Sequence, residues 1–105
     1  MIYVFEDFEL DAARLELRRA GAVVKVEPVL LRVLALLVGD AGRLVTKDEL
    51  WRQIWQGRNA ASDVISLAIA RLRKVLRHGR RGPELILTVH GLGYRFVGAV
   101  QRRDE

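Results

Sequence analysis

Leu85-Ile86-Leu87-Thr88-Val89-His90-Gly91-Leu92-Gly93-Tyr94-Arg95-Phe96-Val97 reads as two short strands around a glycine-pinched turn. Aliphatic and β-branched residues fill Leu85 to Val89, His90 to Gly93 turn the chain, and Tyr94 to Val97 bring it back as a hairpin. Immediately upstream the period changes. Between Ser62 and Arg77, Ile65, Ile69, Leu72 and Leu76 are spaced by four, three and four, which is the stripe of an amphipathic helix. With that stripe facing inward, Ser62, Ser66, Ala70, Arg73, Lys74 and Arg77 face outward, and Leu67 and Arg71 flank it. A helix that is small at its start and cationic at its end thus runs through the loop His78 to Pro83 into a hairpin.

Further upstream, Thr46-Lys47-Asp48-Glu49 is a capping box, in which the threonine hydroxyl and the glutamate carboxylate satisfy orphan backbone amides. Leu50, Trp51, Ile54 and Trp55 continue it as a short second helix, with Trp51 expected in the core. Leu30, Leu31, Leu34, Leu37 and Val38 mark an earlier helix, with Pro28 suited to its first turn and Gly39 to its exit. The first 26 residues alternate instead: Ile2, Val4, then Phe8, Leu10, then Leu15, Leu17, then Val24, Val26. This two-residue period predicts a short antiparallel sheet, broken at Asp11-Ala12-Ala13 and at Arg19-Ala20-Gly21, where Gly21 can supply a positive backbone angle. The fold class is α+β: an N-terminal antiparallel sheet, three helices and a C-terminal hairpin. Residues 1–100 form one domain and residues 101–105 a frayed polar tail.

Of 105 residues, none is cysteine, which excludes a disulfide scaffold and thiolate metal sites and suits a reducing, cytoplasmic setting. The longest apolar run, Val29 to Val38, is interrupted by Arg32 and falls short of a membrane span, so no membrane contact is expected from this segment. Net charge is +5 but uneven: residues 1–50 carry seven Lys/Arg against nine Asp/Glu, and residues 51–105 carry eleven against four. Six basic residues and no acid lie between Arg71 and Arg81. Such a patch suits a polyanion, and nucleic acid, anionic lipid or an acidic protein would each answer to it.

Two short helices joined by a brief loop, the second small early and basic late, have the layout of a helix-turn-helix reader of duplex DNA. Small side chains let such a helix enter a major groove, and Arg71 can offer two donors to a guanine edge, while Arg73, Lys74 and Arg77 meet phosphates. The hairpin next to the patch favours DNA over lipid or protein, because its tip, carrying His90, can lie against the backbone or minor groove.

Three stretches carry a family resemblance. Ile86 to Phe96 resembles the closing wing of the OmpR/PhoB-type winged-helix effector domains, Arg71 to Leu76 the end of their recognition helix, and Gly42 to Leu50 followed by Trp55 their second helix and its approach. The resemblance implies a four-stranded N-terminal sheet, three helices and a wing, with sequence-specific binding of double-stranded DNA in transcription regulation within a phosphorelay. It implies that Val64, Leu67 and Arg71 face bases, that Arg73, Thr88 and Tyr94 hold phosphates, and that Lys47 and Trp55 flank them on the backbone. Tyr94 equally suits the hairpin's apolar face, and Thr88 is similarly ambiguous.

His90 stands where many relatives place a wing arginine, and a neutral imidazole grips the minor groove less well. Asp63, Ser66, Ala68 and Ala70 replace basic or polar groups on the leading face of the third helix, so apolar contact from Val64 and Leu67 to thymine methyls is expected to substitute. Glu27-Pro28 is similar to the CadC-like branch, in which the domain is N-terminal and a sensor or membrane segment follows. The resemblance also implies a polymerase contact at Gln56 to Ala61 and head-to-tail pairing of copies on DNA.

Other function classes fit less well. Gly91-Leu92-Gly93 leads into a strand and lacks the third glycine of a dinucleotide fingerprint, so no cofactor is expected. No nucleophile and base pair can be assembled, so the chain is not read as an enzyme, and no metal site is expected. RNA reading lacks an exposed aromatic platform. The alternative that survives is a winged helix docking an acidic protein.

Overall fold

Alternation at the N-terminus is realised as a meander, β1 (Ile2–Phe5), β2 (Phe8–Asp11), β3 (Glu16–Arg19) and β4 (Ala22–Val24), followed by α1 (Pro28–Gly39). Then come β5 (Leu44–Thr46), α2 (Lys47–Ile54), α3 (Val64–Arg77), β6 (Ile86–Val89), β7 (Gly93–Phe96) and β8 (Gln101–Arg103). The structure is a computed structural model and describes residues 1–58 and 63–104. Ser62, expected to open α3, lies outside those residues, as does the 59–61 part of the expected polymerase contact.

The N-terminal sheet has five strands in the order β4-β3-β2-β1-β8, and a second sheet has the order β5-β7-β6, all antiparallel. Two departures from the sequence reading follow. Gln101–Arg103 is not a frayed tail but a strand paired with β1, Ile2 opposite Arg103 and Val4 opposite Gln101. Arg102 donates to the Gly39 carbonyl at 2.6 Å, capping the end of α1, and Arg103 pairs with Glu9 at 2.7 Å. The segment leading into α2 is itself a strand, so the wing is one part of a three-stranded sheet.

The core joins both sheets and all three helices. Phe5 stacks on Phe8 with centroids 5.4 Å apart and meets Phe96 edge-on at 5.1 Å. Around this cluster lie Leu10 and Leu17 of the first sheet, Leu30, Leu31, Val33, Leu34, Leu37 and Val38 of α1, Leu50 of α2 and Ile69, Leu72 and Leu76 of α3. Pro28 opens α1, as its fixed φ and missing N–H allow. Gly21 turns β3 into β4 at φ +85°. Trp51, expected in the core, instead sits half-exposed and stacks on Trp55 at 6.5 Å, and it is Trp55 that packs against the core. At the end of α2 Trp55 is the C-cap, just past the last helical residue, and its side chain lies on the core. No helix among the described residues is long and apolar enough to cross a membrane.

Candidate nucleic-acid interface

α2 is fixed at its N-terminus before α3 begins. The Thr46 hydroxyl accepts from the Glu49 N–H at 3.1 Å and the Glu49 carboxylate accepts from the Thr46 N–H at 3.3 Å, completing the capping box. Arg43 clamps the same carboxylate at 2.9 and 3.1 Å and reaches Asp40 at 2.8 Å, joining the end of α1 to the start of α2. These bonds, Arg43's foremost and then the Thr46 N–H, hold the Glu49 carboxyl below its usual range.

On α3, Ala68, Ile69, Leu72 and Leu76 are buried and Ile65 is half-buried against the core. Ala68 was expected on the leading face, and the structure turns it inward: one turn before Leu72, it widens the buried stripe. The opposite side presents Ser66, Leu67, Ala70, Arg71 and Lys74 to solvent, with Leu67 47% exposed. The Arg71 side chain is 61% exposed and its guanidinium is 4.0 Å from Glu27, a loose pair across to the start of α1. Val64 is half-buried at the first turn.

The basic cluster is less free than the sequence suggests. Arg73 donates from Nε and Nη2 to the Ile86 carbonyl at 3.1 and 2.9 Å and from Nη2 to the Thr88 hydroxyl at 2.8 Å. Arg73 and Thr88, both expected to hold phosphates, are thus bonded to each other in the DNA-free domain. Arg77 pairs with Glu84, Nε to Oε1 at 2.7 Å. Arg80, only 10% exposed at its side chain, pairs with Glu6 at 3.0 Å. No ion pair within 4 Å links Lys74 or Arg81 to a carboxylate among the described residues.

Tyr94 is 4% exposed and packs in the core, as the apolar face of the hairpin requires. In β7 it alternates with Arg95, so Tyr94 and Phe96 go inward while Arg95 takes the other face. The wing turn carries His90 exposed beside Gly91 at φ +76°. It is tied to α2, because the Lys47 N–H donates to the Leu92 carbonyl at 3.1 Å, while Lys47 itself is exposed. Trp55 is half-buried and Lys47 stands free, so the two expected flanking contacts differ in reach.

Sequence reasoning missed three participants. Glu84 and Glu6 neutralise Arg77 and Arg80; Glu84 lies seven residues beyond its partner across a loop, and Glu6 lies in the β1–β2 turn, 74 residues before its partner, so spacing gave no signal. Gly93, taken as a turn residue, is a close-approach site, since a Cβ there would stand 2.1 Å from the Val45 carbonyl oxygen. No group of three or more histidine or acidic side chains able to hold a metal occurs among the described residues.

A family model described as transcriptional regulatory protein, C terminal, matches residues 21–96. The chain belongs to this family. Among OmpR/PhoB-type relatives, the KDP operon transcriptional regulatory protein KdpE of Escherichia coli is 33% identical over 95 residues, covering 89% of this chain and 42% of KdpE. The chain therefore spans about two-fifths of the length of that relative. The DNA-binding domain of E. coli CadC superposes with a TM-score of 0.84 at 24% identity, covering 95% of this chain and 94% of that one. The Klebsiella pneumoniae RstA DNA-binding domain, solved in complex with the RstA box, gives 0.75 at 25% identity, covering 91% and 96%. The winged-helix arrangement of this family is thus the arrangement of the chain.

Proposed function

We propose that this OmpR/PhoB-type domain binds duplex DNA sequence-specifically in transcription regulation, with α3 in the major groove and the wing tip along the adjacent backbone or minor groove. The observation that carries this reading is the outward face of α3, where exposed Arg71 and Lys74 stand among the small or apolar side chains of Ser66, Leu67 and Ala70. Small side chains allow approach to the groove floor, and a guanidinium there can pair bidentately with guanine. Arg71 discriminates bases, and Leu67 with Val64 offers apolar contact to thymine methyls. Lys47, Lys74 and Arg81 supply phosphate contacts. His90 approaches the minor groove from the turn.

The test is selection of bound duplexes from a random pool, followed by titration of the best sequence at several salt concentrations. A recovered motif with a log-log salt slope of about −3, the value for roughly three neutralised phosphates, supports the reading. A recurring motif spacing near one helical turn supports pairing of copies on DNA. Recovery of no motif, with equal binding to any polyanion, sinks the groove reading and leaves docking of an acidic protein.

A further inference from the structure

Arg73 makes its contacts at a place in the sheet where a backbone group would otherwise go unpaired. β6 is an edge strand, with β7 on one side and, among the described residues, no strand on the other. A carbonyl on the free edge of such a strand needs a donor from elsewhere. For Ile86, whose side chain is fully buried, that donor is the Arg73 guanidinium, through two nitrogens at 3.1 and 2.9 Å. A third bond, at 2.8 Å to the Thr88 hydroxyl, adds a second point along the same strand. Two attachment points on one strand from a planar, rigid group fix orientation as well as distance.

We propose that Arg73 is a positioning residue that sets the angle of the wing relative to α3, with Thr88 as its second anchor, and is not primarily a phosphate ligand. From Ile86 to the tip at His90 the strand runs about 13 Å, so a rotation of ~10° at the brace displaces the tip by ~2 Å. Hydrogen bonds to phosphate tolerate only a few tenths of an ångström. The brace therefore decides whether wing and helix meet the same duplex in register. The proposal rests on the groove-binding reading for its functional consequence, but the geometry it asserts belongs to the free domain.

The experiment compares the parent chain with Arg73→Lys, Thr88→Val and the double variant. Lysine keeps the charge and loses the planar two-nitrogen contact, and valine keeps the shape and loses the acceptor. Residual dipolar couplings of the free domain report wing orientation relative to α3, and hydroxyl-radical footprints on the selected duplex report wing-side and helix-side protection. The expected result is a reoriented or broadened wing in Arg73→Lys, loss of wing-side protection with helix-side protection kept, and about tenfold weaker binding. Thr88→Val should show a weaker version of the same pattern, about threefold, with less than additive loss in the double variant. Unchanged couplings, or an evenly weakened footprint in Arg73→Lys with Thr88→Val indistinguishable from the parent, overturn the proposal. If the parent leaves no footprint, the groove reading fails, and the couplings alone decide the brace.

Discussion

Replacing Gly93 with alanine puts a methyl group 2.1 Å from the Val45 carbonyl oxygen and 2.8 Å from the Thr46 Cα. An ordinary carbon–oxygen contact is about 3.3 Å, so β5 and β7 would have to part by roughly 1.2 Å. Neither neighbour is the flexible end of a side chain; both are backbone, and Val45 is fully buried in the core. Separation on that scale breaks the short ladder between Leu44–Thr46 and Gly93–Phe96. Losing about two backbone hydrogen bonds at ~1 kcal/mol each, with an overpacking cost of ~1 to 3 kcal/mol, gives about 3 to 5 kcal/mol of destabilisation. At ~4 to 8 °C per kcal/mol for a domain of this size, thermal melting should fall by more than about 12 °C. Gly91→Ala is the internal control. Its φ of +76° strains an alanine, but nothing lies within 4 Å of the added carbon. It should cost only about 1 to 2 kcal/mol. Circular-dichroism melts of both variants settle the matter. If Gly93→Ala melts within a few degrees of the parent, or above Gly91→Ala, the inference that backbone proximity demands glycine at position 93 is wrong.

Arg71→Ala should relax base preference in a repeated selection and cost ~1 to 3 kcal/mol on the preferred duplex, whereas Lys74→Ala should weaken all sequences alike and flatten the salt slope by about one; equal profiles for the two would contradict the division of roles. Because the Glu49 carboxyl is held below its ordinary value, its contribution to stability is complete above the free glutamate value of ~4.3 and is lost as pH falls through the lower folded value. In urea melts, Glu49→Gln should therefore be less stable than the parent near neutral pH and converge with it in acid; parallel pH curves would show that the Arg43 clamp contributes nothing. Truncation after Val100 removes β8 and the Arg102 contact with Gly39, and a loss of about 1 to 2 kcal/mol in the same melts is expected; no loss would return residues 101–105 to the status of a tail.

Where one face of an element is buried, the sequence was readable. The stripe Ile69, Leu72 and Leu76, the alternation through Phe8, Leu10 and Leu17, and the capping box at Thr46 and Glu49 each impose a local pattern that the tertiary structure only completes. What escaped is what depends on long-range pairing. β8 is exposed at every residue, so it has no hydrophobic period to betray it; it exists because β1 offers an open edge. Trp51 and Trp55 share a helical spacing that suits either one for the core, and only the turn of the chain at the end of α2 separates them. Within the interface, Arg71 was expected on the flank of the stripe, and it stands opposite it because the inward turn of Ala68 shifts the buried face. Arg73, expected outward, is half-buried, because its partner is a backbone carbonyl on another element and carbonyls have no sequence signature.

The carboxylates of Glu84 and Glu6 carry a further consequence for a genome-wide search. By neutralising Arg77 and Arg80 internally, they lower the count of cations available to grip arbitrary phosphates without touching Arg71. Affinity for random sequence scales steeply with that count, whereas discrimination resides in base contacts. The domain should consequently dwell briefly on the vast excess of irrelevant sites, leaving more copies unbound to encounter their own.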